Sequence, residues 1–153
     1  LAIVELAYGL RIALMARRRK RSYQLSTEER HDYAQYLYEK QYELYITTNS
    51  PTKVVNDKLN KINAQKYIKE VFTAEEAGHM KPHHEFFEKF FNKINTCDKD
   101  NMLIIGDELE KDVLGSIQNG IDSCWFNMKK TENNTNFKPT YEINSLIELK
   151  NIL

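Results

Sequence analysis

Residues 102–112 read MLIIGDELEKD, and this stretch decides the fold. Consecutive apolar residues lead without a break into Gly106 and Asp107, and a second carboxylate, Asp112, follows five residues later. A short apolar run with no polar alternation is typical of a strand that is buried on both faces, as strands are in a parallel sheet. The stretch therefore predicts a layered α/β fold with Asp107 at the carboxyl end of a buried strand.

Strands and helices are predicted to alternate on both sides of this stretch. Strand-forming residues predict further strands at 43–48, 71–73, 123–126 and 141–143. Helical spacing of apolar residues predicts helices, which are expected at about 27–40, 51–62, 86–94, 109–119 and 145–153. Ser26 or Thr27 is expected to cap the first helix and Ser50 the second. In such a fold, ligands bind beyond the carboxyl ends of the strands.

The composition suits one globular domain. The chain has 153 residues, with 22 basic and 22 acidic side chains, so bulk attraction to nucleic acid is excluded as its organising feature. Cys97 and Cys124 are the only cysteines; they exclude a disulfide scaffold and are expected to be reduced thiols of a cytoplasmic protein. No apolar run approaches the roughly 20 residues of a membrane span, so no membrane partner is expected.

Residues 1–30 differ from the remainder in charge. They hold seven basic and three acidic residues, a net charge of +4, which leaves −4 for the rest of the chain. The basic run at 17–21 (RRRKR) is either a nucleic-acid or localisation patch or a solvated stretch without a partner, and it lacks the interleaved aromatic residues of single-strand binding. We expect residues 1–30 to be an atypical segment and 31–153 to form the folded core.

Candidate site residues fall at the predicted strand ends. Thr48, Asn49 and Ser50 end one strand and open a helix, where a hydroxyl and backbone N–H groups could cradle phosphate, although capping explains Ser50 equally well. Asp107 is either a Mg²⁺ ligand or a helix cap. Lys81, before a helix, is either a cation for phosphate or a surface charge.

Three histidines, His79, His83 and His84, surround Lys81 in sequence. A zinc site there is disfavoured, because the cysteines are far away and no paired histidine spacing of a zinc protease is present.

The order and spacing of these segments resemble the haloacid dehalogenase-like hydrolases. Thr48 in LYITTN (44–49) matches the second motif of that superfamily, and Lys81 in GHMKP (78–82) matches the third. Asp107 and Asp112 match the fourth, the GDxxxxD form. The resemblance runs from about residue 36 to 153. Within the superfamily, LYITTN, CWFN (124–127) and PTYEI (139–143) most resemble bacterial non-canonical pyrimidine 5′-nucleotidases.

The resemblance implies a three-layer Rossmann-like core and Mg²⁺-dependent hydrolysis of a small phosphate monoester, a nucleoside 5′-monophosphate, through an aspartyl-phosphate. It implies that Thr48 and the N–H of Asn49 hold the phosphoryl group and that Lys81 offsets its charge. Asp107 would bind Mg²⁺, and Asp112 would orient Lys81 or a metal-bound water.

One family motif is missing. The nucleophile and the general acid come from DxDxT after a first strand, yet Asp32 is the only Asp before Asp57, and no Asp-x-Asp precedes Thr48. We therefore expect an incomplete core, without the first strand and the cap domain, that is inactive as a fragment. Either residues 1–14 fill the gap or the sheet stays incomplete. We also expect residues 1–30 to be a frame-shifted or misjoined start.

Two other functions stay open. A protein of the same fold could bind a phosphorylated ligand or a partner chain without catalysis, and the basic run could bind nucleic acid. A receiver-like phosphorylation module is disfavoured, because Lys81 precedes Asp107 in the chain. Retention of Thr48, Lys81, Asp107 and Asp112 favours the hydrolase. The base, the sugar and the oligomeric state are left open.

Overall fold

The computed structural model describes residues 34–96 and 98–153, and there it confirms the predicted alternation of strands and helices. The strands are β1 (Leu44–Thr48), β2 (Ile68–Thr73), β3 (Leu103–Gly106), β4 (Asp122–Phe126) and β5 (Tyr141–Ile143). The α-helices are α1 (Thr52–Lys61), α2 (Ala74–Ala77), α3 (His84–Ile94) and α4 (Leu114–Gln118), and residues 34–39 are also helical.

Several predictions fall outside the described residues. These are the basic segment 1–30 with its run at 17–21, the placement of residues 1–14, and the start of the first helix at Ser26 or Thr27. Among the helices in the described ranges, none is long and apolar enough to cross a membrane.

All strand pairs are parallel. β1 pairs with β2, and β4 lies between β3 and β5. No strand among residues 34–96 and 98–153 joins β1 to β3, so the described sheet is in two parts, in line with the expected incomplete core.

Alternate side chains of the strands enter two separate hydrophobic clusters. Leu44 and Ile46 of β1 lie in the cluster that includes Val55 and Leu59 of α1. Tyr45, between them, lies in the other cluster, with four phenylalanines of α3. Because successive strand residues point to opposite faces, the sheet is covered on both sides, as the uninterrupted apolar run of β3 predicts. The result is a three-layer α/β core.

The expected cap of α1 is wrong. Pro51, not Ser50, is the N-cap residue, and no side chain of the N-cap position bonds to the helix. Ser50 instead donates its N–H to Thr48 Oγ1 at 3.1 Å within the turn after β1. The N–H of Thr52 donates to the carboxylate of Glu75, at 2.8 Å, so an acidic side chain from α2 satisfies the start of α1.

Two helices differ in type from the prediction. The segment expected as one helix at 109–119 begins with a π-helical turn, Leu109–Val113, before α4. The last helix is a 3₁₀-helix, Leu146–Asn151, closed at its start by reciprocal bonds of Ser145 and Glu148. Single π-turns are often found at functional sites, and this one holds Asp112.

Candidate active site

The end of β1 holds the backbone of Lys81. Thr48 is buried there, with its hydroxyl accepting the Ser50 N–H. The side chain of Asn49, next in sequence, accepts the Lys81 N–H at 2.8 Å and donates to the Lys81 carbonyl at 3.1 Å. Asn49 was expected to act through its backbone N–H; its side chain also fixes the loop that carries the lysine.

Lys81 is 4% exposed and bridges the two parts of the sheet. Its Nζ donates to Asp112 Oδ1 at 2.8 Å and to the carbonyl of Thr47, in β1, at 3.1 Å. A buried ammonium carries a large desolvation cost that only a close carboxylate and further hydrogen bonds offset. The interpretation of Lys81 as a surface charge is therefore wrong.

Asp112 is held over the end of β3. Its Oδ2 accepts the N–H of Glu108 at 3.0 Å, so its two oxygens serve the lysine and the backbone separately. A Cβ at Gly106 would lie 2.2 Å from Asp112 Oδ2, far inside any contact distance. Only glycine leaves room for this carboxylate. Sequence reasoning used Gly106 as a strand end and missed this role, although its place in the GDxxxxD stretch was the available signal.

Asp107 follows β3 directly and is half-buried. Its carbonyl accepts the indole N–H of Trp125 at 3.2 Å. Glu108, not Asp107, is the N-cap residue of the π-helical turn, so Asp107 lies one residue before that position.

A pocket of about 190 Å³ opens beside Asp107. Apart from Asp107, its lining comes from the end of β4 and the turn after it and consists of Trp125, Phe126, Asn127, Met128, Lys129 and Thr131. Trp125 and Asn127 are both buried, and sequence reasoning singled out neither as a site residue. The carboxyl edge of β3 and β4 thus has a concave surface next to the carboxylate.

The carboxylates that follow β3 suit a Mg²⁺ ion whose other ligands are water and substrate oxygens. Asp112 contacts Lys81, and Glu108 contacts Lys111 at 2.6 Å. The described residues contain no group of three or more His, Cys, Asp or Glu side chains placed to hold an ion. Mg²⁺ is commonly bound through one or two carboxylates, with waters and phosphate oxygens as its other ligands. Asp107 fits that pattern as a single protein carboxylate.

The only Asp-x-Asp of the sequence lies at the other end of the sheet. Asp98 and Asp100 precede β3, whereas Asp107 follows it. The carboxylate of Asp98 accepts two hydrogen bonds, at 3.1 and 2.9 Å, from the side-chain amide of Asn101 in the 3₁₀-turn Lys99–Asn101. This pair is therefore separated from Lys81 by the length of the strand.

A family model described as haloacid dehalogenase-like hydrolase matches residues 16–126. The chain is 37% identical to the pyrimidine 5′-nucleotidase PynA of Streptococcus pneumoniae over 128 residues, which are 80% of this chain and 54% of that protein. It is 30% identical to the pyrimidine 5′-nucleotidase YjjG of Escherichia coli over 108 residues, 71% of this chain and 48% of that protein.

The fold of the chain also matches a solved structure of a haloacid dehalogenase-like hydrolase. The HAD-hydrolase YfnB of Bacillus subtilis, in a crystal structure bound to magnesium, superposes with a TM-score of 0.73 at 34% identity, over 79% of this chain and 52% of that one. The chain spans about half the length of the curated relatives it matches.

Proposed function

The chain belongs to the haloacid dehalogenase-like hydrolase family, and from this premise we propose that it forms the phosphate-binding and Mg²⁺-binding side of a phosphate monoester hydrolase. The proposed substrates are nucleoside 5′-monophosphates, pyrimidine nucleotides above all. The observation that carries the proposal is the buried Lys81–Asp112 pair, 2.8 Å apart. Its ammonium contacts the carbonyl of Thr47, the neighbour of Thr48, and Asp112 follows Asp107 by five residues.

In the proposed mechanism, Thr48 and Asn49 hold the phosphoryl group through a hydroxyl and a backbone N–H. Lys81 offsets the negative charge that builds up on the phosphoryl oxygens, and Asp112 keeps its ammonium in place. Asp107 is the carboxylate that would hold Mg²⁺, which when bound polarises the phosphoryl oxygens as a Lewis acid.

The choice of a pyrimidine nucleotide rests on the relatives. PynA and YjjG are both named pyrimidine 5′-nucleotidases, and the chain spans about half of each. The pocket of about 190 Å³ beside Asp107 is smaller than most small-molecule sites, so it supports contact with part of a nucleotide only. The cytoplasmic location expected from the cysteine usage remains a prediction.

The nucleophile is the missing part of this proposal. The family's chemistry needs an aspartate that attacks phosphorus, and no Asp-x-Asp precedes Thr48 in these 153 residues. Asp98 and Asp100 lie at the opposite end of β3. We therefore propose that these residues alone do not turn over substrate. The same observation favours a second function, non-catalytic binding of a phosphorylated ligand or a partner chain.

The experiment measures phosphate release from UMP, dUMP and an aryl phosphate in MgCl₂. The chain is assayed alone and fused to a DxDxT-bearing first segment of a relative, and we expect activity only in the fusion. Lys81→Met in the fusion should lower kcat/KM by at least a hundredfold. Lys89→Met is the matched control, because Lys89 is exposed and bonds to the Ala77 carbonyl away from the site.

Each other outcome decides between the alternatives. Turnover by the unfused chain that Asp107→Asn abolishes would show that these residues contain a nucleophile, against the proposal. No activity in either protein, together with calorimetric UMP binding that Lys81→Met removes, would leave the non-catalytic binder as the function.

A further inference from the structure

The side-chain amide of Asn127 makes four hydrogen bonds that close the turn after β4. It is 4% exposed, and its Nδ2 donates to the Thr131 carbonyl at 2.8 Å and to Glu142 Oε1 at 2.7 Å. Its Oδ1 accepts the Thr131 N–H at 2.9 Å and the Thr131 hydroxyl at 3.1 Å. Both donors and both acceptor positions of the amide are in use, so the turn 127–131 is tied to itself and to β5.

Trp125 lies between this turn and Asp107. It is buried at the end of β4, pairs in register with Glu142 of β5, and donates its indole N–H to the Asp107 carbonyl at 3.2 Å. Asn127 continues the ladder from β4 to β5, since its N–H donates to the Ile143 carbonyl at 2.8 Å. The indole therefore lies on a strand end that Asn127 ties to β5 through its backbone N–H and its side-chain amide.

The peptide unit between Asp107 and Glu108 is bonded on both sides. Its carbonyl oxygen accepts from Trp125 at 3.2 Å, and its N–H donates to Asp112 Oδ2 at 3.0 Å. Asp112 in turn accepts from Lys81 through its other oxygen at 2.8 Å. A continuous set of hydrogen bonds thus runs from Lys81 through this peptide to Trp125 and the turn that Asn127 closes.

We propose that Trp125 and Asn127 are positioning residues that fix the orientation of Asp107 for Mg²⁺. With the plane of the Asp107–Glu108 peptide held at both its oxygen and its N–H, the backbone of Asp107 is fixed, and its Cα–Cβ bond keeps one direction at the pocket. Groups that hold a metal ligand in this way are typically worth 10–100-fold in metal affinity. The inference rests on the proposed function, in that it takes Asp107 as the Mg²⁺ ligand.

The test uses the single tryptophan of the chain as its own reporter. One indole N–H resonance is expected in a ¹⁵N-correlated NMR spectrum, and a MgCl₂ titration into the millimolar range should shift it. Asn127→Ala should increase the solvent exchange of this N–H and weaken the Mg²⁺ affinity by about tenfold. Asn119→Ala is the matched control, because Asn119 is equally buried but bonds to the Gly115 carbonyl in α4.

Two further variants separate positioning from packing. Trp125→Phe keeps an aromatic ring but removes the indole donor, and calorimetry should find the Mg²⁺ affinity about tenfold weaker. Asn127→Asp places a second carboxylate against Glu142, and adding Glu142→Gln supplies an amide donor in the opposite direction. Asn127→Asp also removes the donor to the Thr131 carbonyl, so we expect the double variant to recover only the part of the lost Mg²⁺ affinity that depends on the bond to residue 142. Equal Mg²⁺ affinity in Asn127→Asp and the double variant would contradict the role of that bond.

The outcomes distinguish this inference from the proposed function. An Asn127→Ala variant that keeps the parent's indole resonance and Mg²⁺ affinity overturns the positioning role alone, provided that Asp107→Asn removes the Mg²⁺ response. A Mg²⁺ response unaffected by Asp107→Asn, or absent from the parent, overturns the metal assignment to Asp107 and the positioning role with it.

Discussion

Two buried regions of the molecule differ in what their burial achieves. The aromatic layer, formed by Tyr45, Phe72, Phe86, Phe87 and Phe90, lies between the sheet and α3, with neighbouring ring centroids 5.2–5.9 Å apart. The ion-pair bridge, formed by Thr47, Lys81, Asp112 and Gly106, lies at the carboxyl edge of the strands. Both are almost completely shielded from solvent.

The difference indicates which region serves stability and which serves chemistry. Burial of aromatic side chains is strongly favourable, and tilted or edge-on ring pairs add to it. A buried ion pair gains little over well-packed apolar residues, because the desolvation of two charges offsets their attraction. The bridge is therefore a poor means of stabilising this fold, and its presence at the carboxyl edge favours a role in binding.

The largest expected effect comes from removing one ring of the aromatic layer. Phe90 is fully buried and contacts the rings of Tyr45, Phe72 and Phe91. Phe90→Ala should lower the free energy of unfolding in urea by about 3–5 kcal/mol, through lost burial and the cavity that remains.

Phe90→Leu is the control for this layer and should cost no more than about 1.5 kcal/mol. If Phe90→Ala lowers the free energy of unfolding by less than about 1 kcal/mol, the aromatic layer is not the tightly packed, stabilising region described above.

The second expected effect separates charge from packing in the bridge. Asp112→Asn keeps the size of the side chain and an acceptor for the Glu108 N–H but leaves the Lys81 ammonium buried without its carboxylate. It should lower the free energy of unfolding by about 3 kcal/mol.

Adding Lys81→Met to Asp112→Asn removes the unpaired charge and should recover most of the lost stability, while UMP binding stays lost. Urea unfolding and calorimetry on the two variants check both halves of the expectation. A double variant that is less stable than Asp112→Asn alone would contradict the argument that the ion-pair bridge contributes little to the stability of the fold.

The sequence predicted the regions that depend on local periodicity. β3 and α3 lie within one or two residues of their predicted positions. A short unbroken apolar run is typical of a buried strand, and phenylalanines at helical spacing are typical of an amphipathic helix. The resemblance also placed Lys81 and Asp112 in one site before their contact was known. Their distance of 2.8 Å, between residues 31 apart in sequence, depends on tertiary packing.

The features that were missed depend on contacts between distant segments. Ser50 was expected to cap α1, but the Glu75 carboxylate from α2 meets the Thr52 N–H instead. The Asp107–Trp125 bond likewise forms only when β3 lies beside β4. Local propensity carries no signal for such bonds.

The third expected effect uses two glycines, each of which faces one of the two regions. A Cβ at Gly106 would lie 2.2 Å from Asp112 Oδ2, and one at Gly115 would lie 2.6 Å from Phe87 Cζ. Gly106→Ala and Gly115→Ala should each lower the free energy of unfolding by about 2 kcal/mol, the usual cost of overpacking.

Only Gly106→Ala should also weaken UMP binding, because it displaces the carboxylate that holds Lys81. Thermal unfolding and UMP calorimetry on both variants check this. Equal UMP affinity in the two variants would contradict a specific link between Gly106 and the bridge.

The smallest expected effect concerns a buried group that has no charged partner of opposite sign. Burial, with a smaller contribution from the negative charge of Glu148, raises the pKa of the Cys124 thiol from 9.0 to about 12. Between these values the unfolded chain loses the thiol proton while the folded chain keeps it, so stability is fully present below pH 9 and falls as the pH rises toward 12. From pH 8 to pH 10 the loss should be about 1 kcal/mol.

Cys124→Ala isolates this loss from the other groups that titrate in the same range. The variant has a constant offset from the lost packing, but its stability should fall by about 1 kcal/mol less than that of the parent between pH 8 and pH 10. Cys97 is present in both proteins and cancels in the difference. Parallel curves would mean that the thiol ionises inside the fold as readily as in the unfolded chain. In that case burial alone would not keep the Cys124 thiol neutral. Cys124 would then no longer differ from the ion-pair bridge, whose charges are retained in a buried position.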